Sequence, residues 1–292
     1  MQQKYWQITF KELWEGETGL SFGVQDLLFS KQSAYQKVQV WQTDAFGKIL
    51  TLDGLVMITE RDEFVYHEMI SHPALNVLKE PRRVLVVGGG DGGTVREVLR
   101  HPEVEHVDLV EIDDMVLEVA RTYFPHVCSG FDDPRLTIHV RDGVEFVHQS
   151  PASTYDLIIV DSTDPIGIAE GLFDKAFYQQ CAHILTEQGI LVAQTESPFD
   201  NLFHEVIQRA TSFLRTLFPI VRPYIAFIPS YPMGLWSFTM GSKQLDPVAD
   251  FEEERVKNWE QQLEKPLRYY NSAIHRAAFA LPSFVHELLV QE

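Results

Sequence analysis

Two hydrophobic rhythms divide the chain. Over the first sixty residues apolar positions alternate with polar ones, at Val38 and Val40 before Trp41. Ile49, Leu50 and Leu52 then follow the turn-forming Asp44-Ala45-Phe46-Gly47. Alternation of this kind marks strands with one buried face. Asp53-Gly54 before Leu55-Val56-Met57-Ile58 predicts a hairpin, because both turn positions accept positive φ. Short strands joined in this way predict a small antiparallel sheet. Thr59-Glu60-Arg61-Asp62 has the form of a capping box, with an acid three residues after the threonine. It predicts a helix opening there and running through Phe64, Met69 and Ile70.

From Arg83 the rhythm changes. Val84-Leu85-Val86-Val87 is a fully apolar strand that runs into Gly88-Gly89-Gly90-Asp91-Gly92-Gly93, followed by a helix over 94–100. Further strands are predicted at 107–111, 136–140, 155–160 and 189–193, with helices near 114–124, 176–185 and 201–218. Apolar strands alternating with helices specify a parallel sheet covered on both faces. The segments 220–227 and 236–240 complete seven strands. The fold class is α/β, a Rossmann-like, methyltransferase-type sheet of seven mostly parallel strands with a small N-terminal antiparallel β domain. The change of pattern places the β domain at 1–62 and the Rossmann-like domain at 63–292.

Composition narrows the function. The 292 residues are 45% apolar and 23% charged, which excludes disordered and low-complexity classes. With 42 acidic and 24 basic residues the formal net charge is −18, so phosphate backbones are repelled and small cations attracted. No nucleic acid is expected as a partner. The polar start and the lack of any apolar run near the ~20 residues of a membrane span predict a soluble cytoplasmic protein without a membrane partner. Cys128 and Cys181 have no partner at metal-ligand spacing and are expected as reduced, buried thiols. The 11 histidines contain no zinc-type spacing, so no metal is expected.

Ligands of an open parallel sheet bind at the carboxyl ends of its strands. There the chain carries Asp91, Glu111, Asp142, then Asp161 and Asp164, then Gln194 and Glu196. Any one of these acids reads equally as a turn former or helix cap. Acids after four consecutive strands read better as a site. The glycine run satisfies G-x-G-x-x-G, and Glu111 stands where a ribose-binding acid belongs. Asp91 opposes a pyrophosphate in that loop. A nucleoside without phosphate avoids the conflict, with Glu111 on its ribose and Asp142-Gly143 near an adenine amine. That describes an S-adenosyl compound. Asp91 would repel the carboxylate of S-adenosylmethionine and attract the bare ammonium of its decarboxylated form, unless Asp91 caps the helix at Thr94 instead. Asp161 and Asp164, three residues apart, suit an amine: one binds an ammonium and the other accepts a proton.

These residues carry a resemblance. Tyr35-Gln36, Leu52-Asp53-Gly54, Glu60-Arg61-Asp62-Glu63-Phe64, Tyr66-His67-Glu68 and the glycine run with Asp91 are similar to segments of the polyamine aminopropyltransferase (spermidine synthase) family. So are Asp161-Ser162-Thr163-Asp164-Pro165, Ile228-Pro229-Ser230-Tyr231-Pro232 and the stretch from Ile274 to Pro282. The resemblance implies transfer of the aminopropyl group of decarboxylated S-adenosylmethionine to putrescine, giving spermidine and methylthioadenosine, with no separate cofactor. It implies that Gln36, Asp91, Glu111, Asp142 and Gly143 bind the co-substrate, and that Asp161 accepts the proton. Tyr66, His67, Asp91, Asp161, Asp164, Gln194 and Tyr231 would form the amine site. Ile168 stands where the family usually has a proline near the adenine. A homodimer or homotetramer is implied, assembled in part through the N-terminal sheet.

Other readings stay open at this stage. A methyltransferase using carboxylated S-adenosylmethionine, a non-catalytic polyamine or nucleoside sensor, and an aminopropyltransferase for agmatine or cadaverine all fit the scaffold. Trp236 reads as core packing more readily than as ligand contact. Phe10, Trp14 and Phe22 suit the core of a small β domain, and Glu252-Glu253-Glu254 suits a solvated helix face.

Overall fold

The computed structural model describes residues 8–14, 18–163, 171–200, 204–231 and 233–290. Among them, five antiparallel strands form a first sheet in sequential order: β1 (Ile8–Trp14), β2 (Thr18–Gln32), β3 (Lys37–Thr43), β4 (Lys48–Leu52) and β5 (Leu55–Thr59). The β4–β5 hairpin turns as expected, with φ of 50° at Asp53 and 91° at Gly54. Asp53 Oδ1 also accepts from the Lys37 amide at 2.7 Å. The fifteen-residue β2 has no clean alternation in sequence because its register with β3 shifts twice, between Val24 and Asp26 and between Leu27 and Phe29. Phe22 is buried in the small core against Phe46, with ring centroids 5.2 Å apart. The side chains of Phe10 and Trp14 lie outside the described set.

Helix α1 (Glu63–Leu75) leads to the second sheet. That sheet contains β6 (Arg83–Gly88), β7 (His106–Glu111), β8 (Leu136–Val140), β9 (Tyr155–Asp161), β10 (Leu185–Gln194), β11 (Ile220–Phe227) and β12 (Leu235–Ser242). Its order is β11-β12-β10-β9-β6-β7-β8. The five strands from β10 to β8 are parallel, while β12 runs antiparallel to β10 and β11. Between them come α2 (Gly93–Val98), α3 (Asp114–Tyr123), α4 (Gly143–Gln149), α5 (Lys175–Ile184) and α6 (His204–Leu217). The helix expected from Asn201 is seen from His204; Asn201 lies outside the described residues. α7 (Glu253–Gln262), α8 (Ser272–Ala278) and α9 (Ser283–Val290) follow the last strand.

The apolar run of β6 is explained by two cores. Val84 and Val86 pack in the cluster that holds Met69, Ile70 and Val95, while Leu85 and Val87 pack in the one that holds Phe177, Tyr178 and Ile184. A strand covered on both faces has no use for alternation. Strand β10 starts at Leu185 rather than at Gly189: Leu185 already pairs with Tyr155, and the ladder resumes only at Ile190. Cys128 and Cys181 are buried free thiols. No helix among the described residues is long and apolar enough to cross a membrane.

The start of α1 departs from the capping-box expectation. The helix begins at Glu63 with Asp62 as N-cap residue, and neither Thr59 nor Asp62 caps it with a side chain. The Thr59 hydroxyl instead donates to Asp62 Oδ1 at 2.6 Å and accepts from the Arg61 and Asp62 amides. Asp62 turns away to accept from the Ser230 amide (2.8 Å) and hydroxyl (2.9 Å). One buried carboxylate thus ties the end of the small sheet to the loop after β11. Every residue of α1 except Phe64 is buried. Its polar side chains must therefore find partners inside the protein. Glu68, for example, accepts the backbone N–H groups of Arg268, Tyr269 and Tyr270 at 2.8–2.9 Å.

Replacing Asp62 with alanine strands the buried Ser230 amide and removes three hydrogen bonds to one carboxylate. The expected cost is about 3 kcal/mol, measured by urea unfolding. A loss below about 1 kcal/mol would mean that water replaces the carboxylate without penalty.

Candidate active site

The sheet's connections reverse between β6 and β9, since the chain leaves β6 toward β7 on one side and returns to β9 on the other. Such a switch point opens a crevice at the carboxyl ends of the strands. Here the register sets Gly88 beside Asp161. Gly88 has a φ of 81°, and a Cβ on it would overlap the Asp161 carbonyl. Glycine at this point lets the two strand ends close together.

Asp161 is 8% exposed. Its Oδ1 accepts from the Tyr66 hydroxyl at 2.7 Å and its Oδ2 from the Thr94 hydroxyl at 2.6 Å. Burial and the neighbouring Asp91 raise its pKa above the usual carboxylate range, against opposing effects of His67 and the two hydroxyls. Asp91 does not cap α2 at Thr94. Its Oδ1 accepts from the Gly93 amide at 2.8 Å, and the helix's N-cap position falls to Gly92. The same oxygen lies 3.2 Å from His67 Nε2. Burial opposes the charge of Asp91, but His67 outweighs it and the carboxyl sits below its ordinary range. His67 is fully buried, with Nδ1 2.6 Å from Glu63 Oε2. Desolvation works against the imidazolium, yet Asp91 and Glu63 push its pKa up to about 10.

A second group lies past β7. Glu111 Oε1 accepts from the Asp113 amide at 2.9 Å and Oε2 from the Gly90 amide at 3.2 Å. Burial raises its carboxyl to about 7 despite those bonds, with Asp113 adding to the rise. Asp142 caps α4, its Oδ1 accepting from the Val144 and Glu145 amides. Gln36 donates from Nε2 to Asp113 at 3.0 Å, joining the small sheet to this rim.

These groups share one cleft, about 940 Å³ of space when its solvent-open mouth is included. Tyr66, His67, Asp91 and Asp161 line one part of it; Gln36, Glu111, Asp142 and Gly143 also face it. Tyr231 lines it as well, with its hydroxyl donating to the Met57 carbonyl at 2.6 Å. Gln194 does not line it. Its amide donates to the Ser162 carbonyl and Glu196 and accepts from the Glu196 amide, so it braces the chain behind Asp161. Trp236 packs in the core against Tyr231. Asp164 and Ile168 lie outside the described residues.

Several groups of the site, lining or supporting, escaped the sequence. Leu50, Leu52, Met57 and Ile58 of the small sheet face the cleft, which only the packing of the two sheets decides. Thr94 carried a weak signal, at the helix start just past the glycine run. Glu63 carried a better one, standing four residues before His67 on one helix face.

The chain matches two family models: "Spermine/spermidine synthase domain" over residues 63–253 and "Spermidine synthase tetramerisation domain" over residues 5–60. A polyamine aminopropyltransferase of Alkaliphilus metalliredigens is 50% identical over 281 residues, covering 94% of this chain and 97% of the relative. One of Clostridioides difficile is 45% identical over 286 residues, covering 98% and 100%. A spermidine synthase solved in complex with the transition state analogue AdoDATO superimposes with a TM-score of 0.92 at 39% identity, covering 99% of this chain and 98% of the other. The spermidine synthase of Thermotoga maritima gives 0.91 at 39% identity, covering 99% and 97%.

The crowding at Gly88 predicts a contrast between two left-handed glycines. Gly54→Ala meets nothing within 4 Å and is expected to cost about 1 kcal/mol for the backbone alone. Gly88→Ala should cost about 3 kcal/mol, because overpacking adds to that term. Chemical denaturation of the two variants measures the difference, and equal losses would show that the β6–β9 seam yields freely.

Proposed function

The chain belongs to the spermine/spermidine synthase family, and from that membership we propose that it transfers the aminopropyl group of decarboxylated S-adenosylmethionine to putrescine. Spermidine and methylthioadenosine are the products. The observation that carries this reading is the pair of carboxylates in one cleft: Asp91 held ionised, and Asp161 raised in pKa and buried about the sheet's switch point.

In this reading Glu111 receives the ribose hydroxyls, and Gln36, Asp142 and Gly143 surround the rest of the nucleoside, with Ile168 beside the adenine. Asp91 takes the ammonium of the aminopropyl arm. An opposite charge at ~4 Å is worth about 4 kcal/mol at an effective dielectric of 20, and a carboxylate on that arm would be repelled by a similar amount. Tyr66, His67, Asp164 and Tyr231 shape the amine side, with Gln194 acting through the Ser162 carbonyl.

The amine nitrogen attacks the methylene carbon beside the sulfonium. A C–N bond forms, the C–S bond breaks, and its electron pair leaves on sulfur as a neutral thioether. The nitrogen's surplus proton goes to Asp161. A primary ammonium of pKa near 10.4 needs about 4.6 kcal/mol to shed a proton at pH 7. The sulfonium eases this by disfavouring a second cation beside it. Asp161 narrows the rest, since burial and Asp91 raise its pKa despite the two hydroxyls that hold its oxygens. The 1–62 segment is proposed as the assembling domain of a homodimer or homotetramer.

Incubation with decarboxylated S-adenosylmethionine and a panel of putrescine, cadaverine and agmatine tests the reaction, with products identified by mass. Methyl transfer from S-adenosylmethionine without methylthioadenosine release would sink it. Asp161→Asn should lower kcat by about 10²–10⁴ while methylthioadenosine still binds with near-normal affinity; a near-normal kcat would remove Asp161 from the role of proton acceptor. Glu111 titrates at about 7, and its ionised form is the better acceptor of two ribose hydroxyls. Methylthioadenosine affinity should therefore rise as pH increases from about 6 to 8. In calorimetry, the slope should vanish in Glu111→Gln, and a slope that persists there would assign it to another group.

A further inference from the structure

Helices α1 and α2 bury a run of alternating charges that ends at the cleft. Asp91 Oδ1 lies 3.2 Å from His67 Nε2, and His67 Nδ1 lies 2.6 Å from Glu63 Oε2. Behind them Arg96 grips Glu63 with both terminal nitrogens, at 3.1 and 2.8 Å, and donates from Nε to Glu97 at 2.7 Å. Glu63 is buried and does not line the cleft. The His67 ring is clamped from its other side, since a Cβ on Gly93 would overlap it.

A neutral imidazole offers one N–H and one lone pair. Set between two carboxylates, it would point that lone pair at an oxygen. Only the imidazolium donates to Glu63 while setting a positive charge against Asp91, whose 3.2 Å contact with Nε2 is ionic and lacks hydrogen-bond geometry. Arg96 keeps Glu63 ionised: burial opposes the charge, but His67 and Arg96 hold the Glu63 carboxyl down at about 2.

Taking the aminopropyl transfer proposed above as its basis, we propose that Glu63 is a positioning residue for that reaction, locking His67 as an imidazolium that holds Asp91 toward the amine by ion pairing and offsets its charge on Asp161. The groups that face His67 are few. Glu63 comes from its own helix, Asp91 from the loop after β6, and Asp161 from β9; the Tyr66 ring stands edge-on at 5.5 Å. Asp91 raises the Asp161 carboxyl and His67 lowers it. A neutral His67 would leave Asp161 beside an uncompensated anion and Asp91 without its ion-pair partner. The positive charge on His67 thus serves the reaction although His67 transfers no proton.

The test is ¹⁵N NMR of the full-length enzyme labelled in its histidine rings, with the His67 signals assigned by their loss in His67→Gln. Wild-type His67 should keep its imidazolium signature up to about pH 9. In Glu63→Gln its midpoint should fall by a unit or more, because one of two carboxylates is gone. Kinetics supply the second readout. For Glu63→Gln, kcat should drop about tenfold at pH 9 and less at pH 7, with KM for decarboxylated S-adenosylmethionine rising at pH 9, where Asp91 loses its ion-pair partner. Glu63→Asp should recover the flatter wild-type profile. A wild-type His67 that titrates near 6.5 overturns the inference even if Glu63→Gln fails to fold. So does a Glu63→Gln profile parallel to wild type, which would make Glu63 a structural brace alone. An enzyme that transfers no aminopropyl group to any amine sinks the functional reading instead, and the His67 titration is read independently of that result.

Discussion

A buried carboxylate held by neutral donors is the interaction on which the site depends. Among the described residues Asp161 meets the Tyr66 and Thr94 hydroxyls and no cation within hydrogen-bonding distance. A bound cation would stabilise the ionised form and make a poor base. Two hydroxyls orient the oxygens while leaving them able to take a proton. The charge needed for folding is balanced one step away, where Asp91 faces His67 and His67 faces Glu63. Proton affinity and charge neutrality are thereby assigned to different residues of one cluster.

That division requires α1 to be buried on every side. Tyr66 and His67 leave its first turns toward the cleft, with Glu63 behind His67, while Glu68 gathers three backbone amides of the C-terminal segment. A helix so rich in buried polar groups depends on partners for most of them, and in this helix only Ser71 Oγ and His67 Nε2 are buried without a hydrogen bond. The same bonds that secure the helix therefore aim the site. Rigidity follows from the chain of partners: the helix start is tied through Asp62 to the β11–β12 loop, from which Tyr231 reaches the cleft.

The small sheet has a second part in this design. Gln36 and Ser33 both donate to Asp113, at the foot of α3, and Leu50, Leu52 and Met57 face the crevice. Burial in the cleft strips water from the Glu111 carboxyl and raises its pKa, with Asp113 adding to the rise. The nucleoside end of the cleft is thus built by both sheets, and neither sheet alone would enclose it.

What the sequence determined by itself is what local chemistry encodes. The Asp53-Gly54 hairpin, the doubly buried β6 and the acids past β6, β7 and β9 were legible because turn conformation, side-chain period and strand-end position depend on near neighbours. Thr59 and Asp62 show the limit of that grammar: their spacing fits a capping box, but Ser230, 168 residues away, claims the carboxylate. Gln194 ends a strand like the others, yet its amide is taken by Glu196 and Ser162, so it stays out of the cleft. The tertiary structure alone decided that Thr94 and Tyr66 would share Asp161 and that Arg96 would grip Glu63 behind His67. Hydrogen bonding and burial act between groups brought together by packing, and no spacing along the chain records which distant groups those will be.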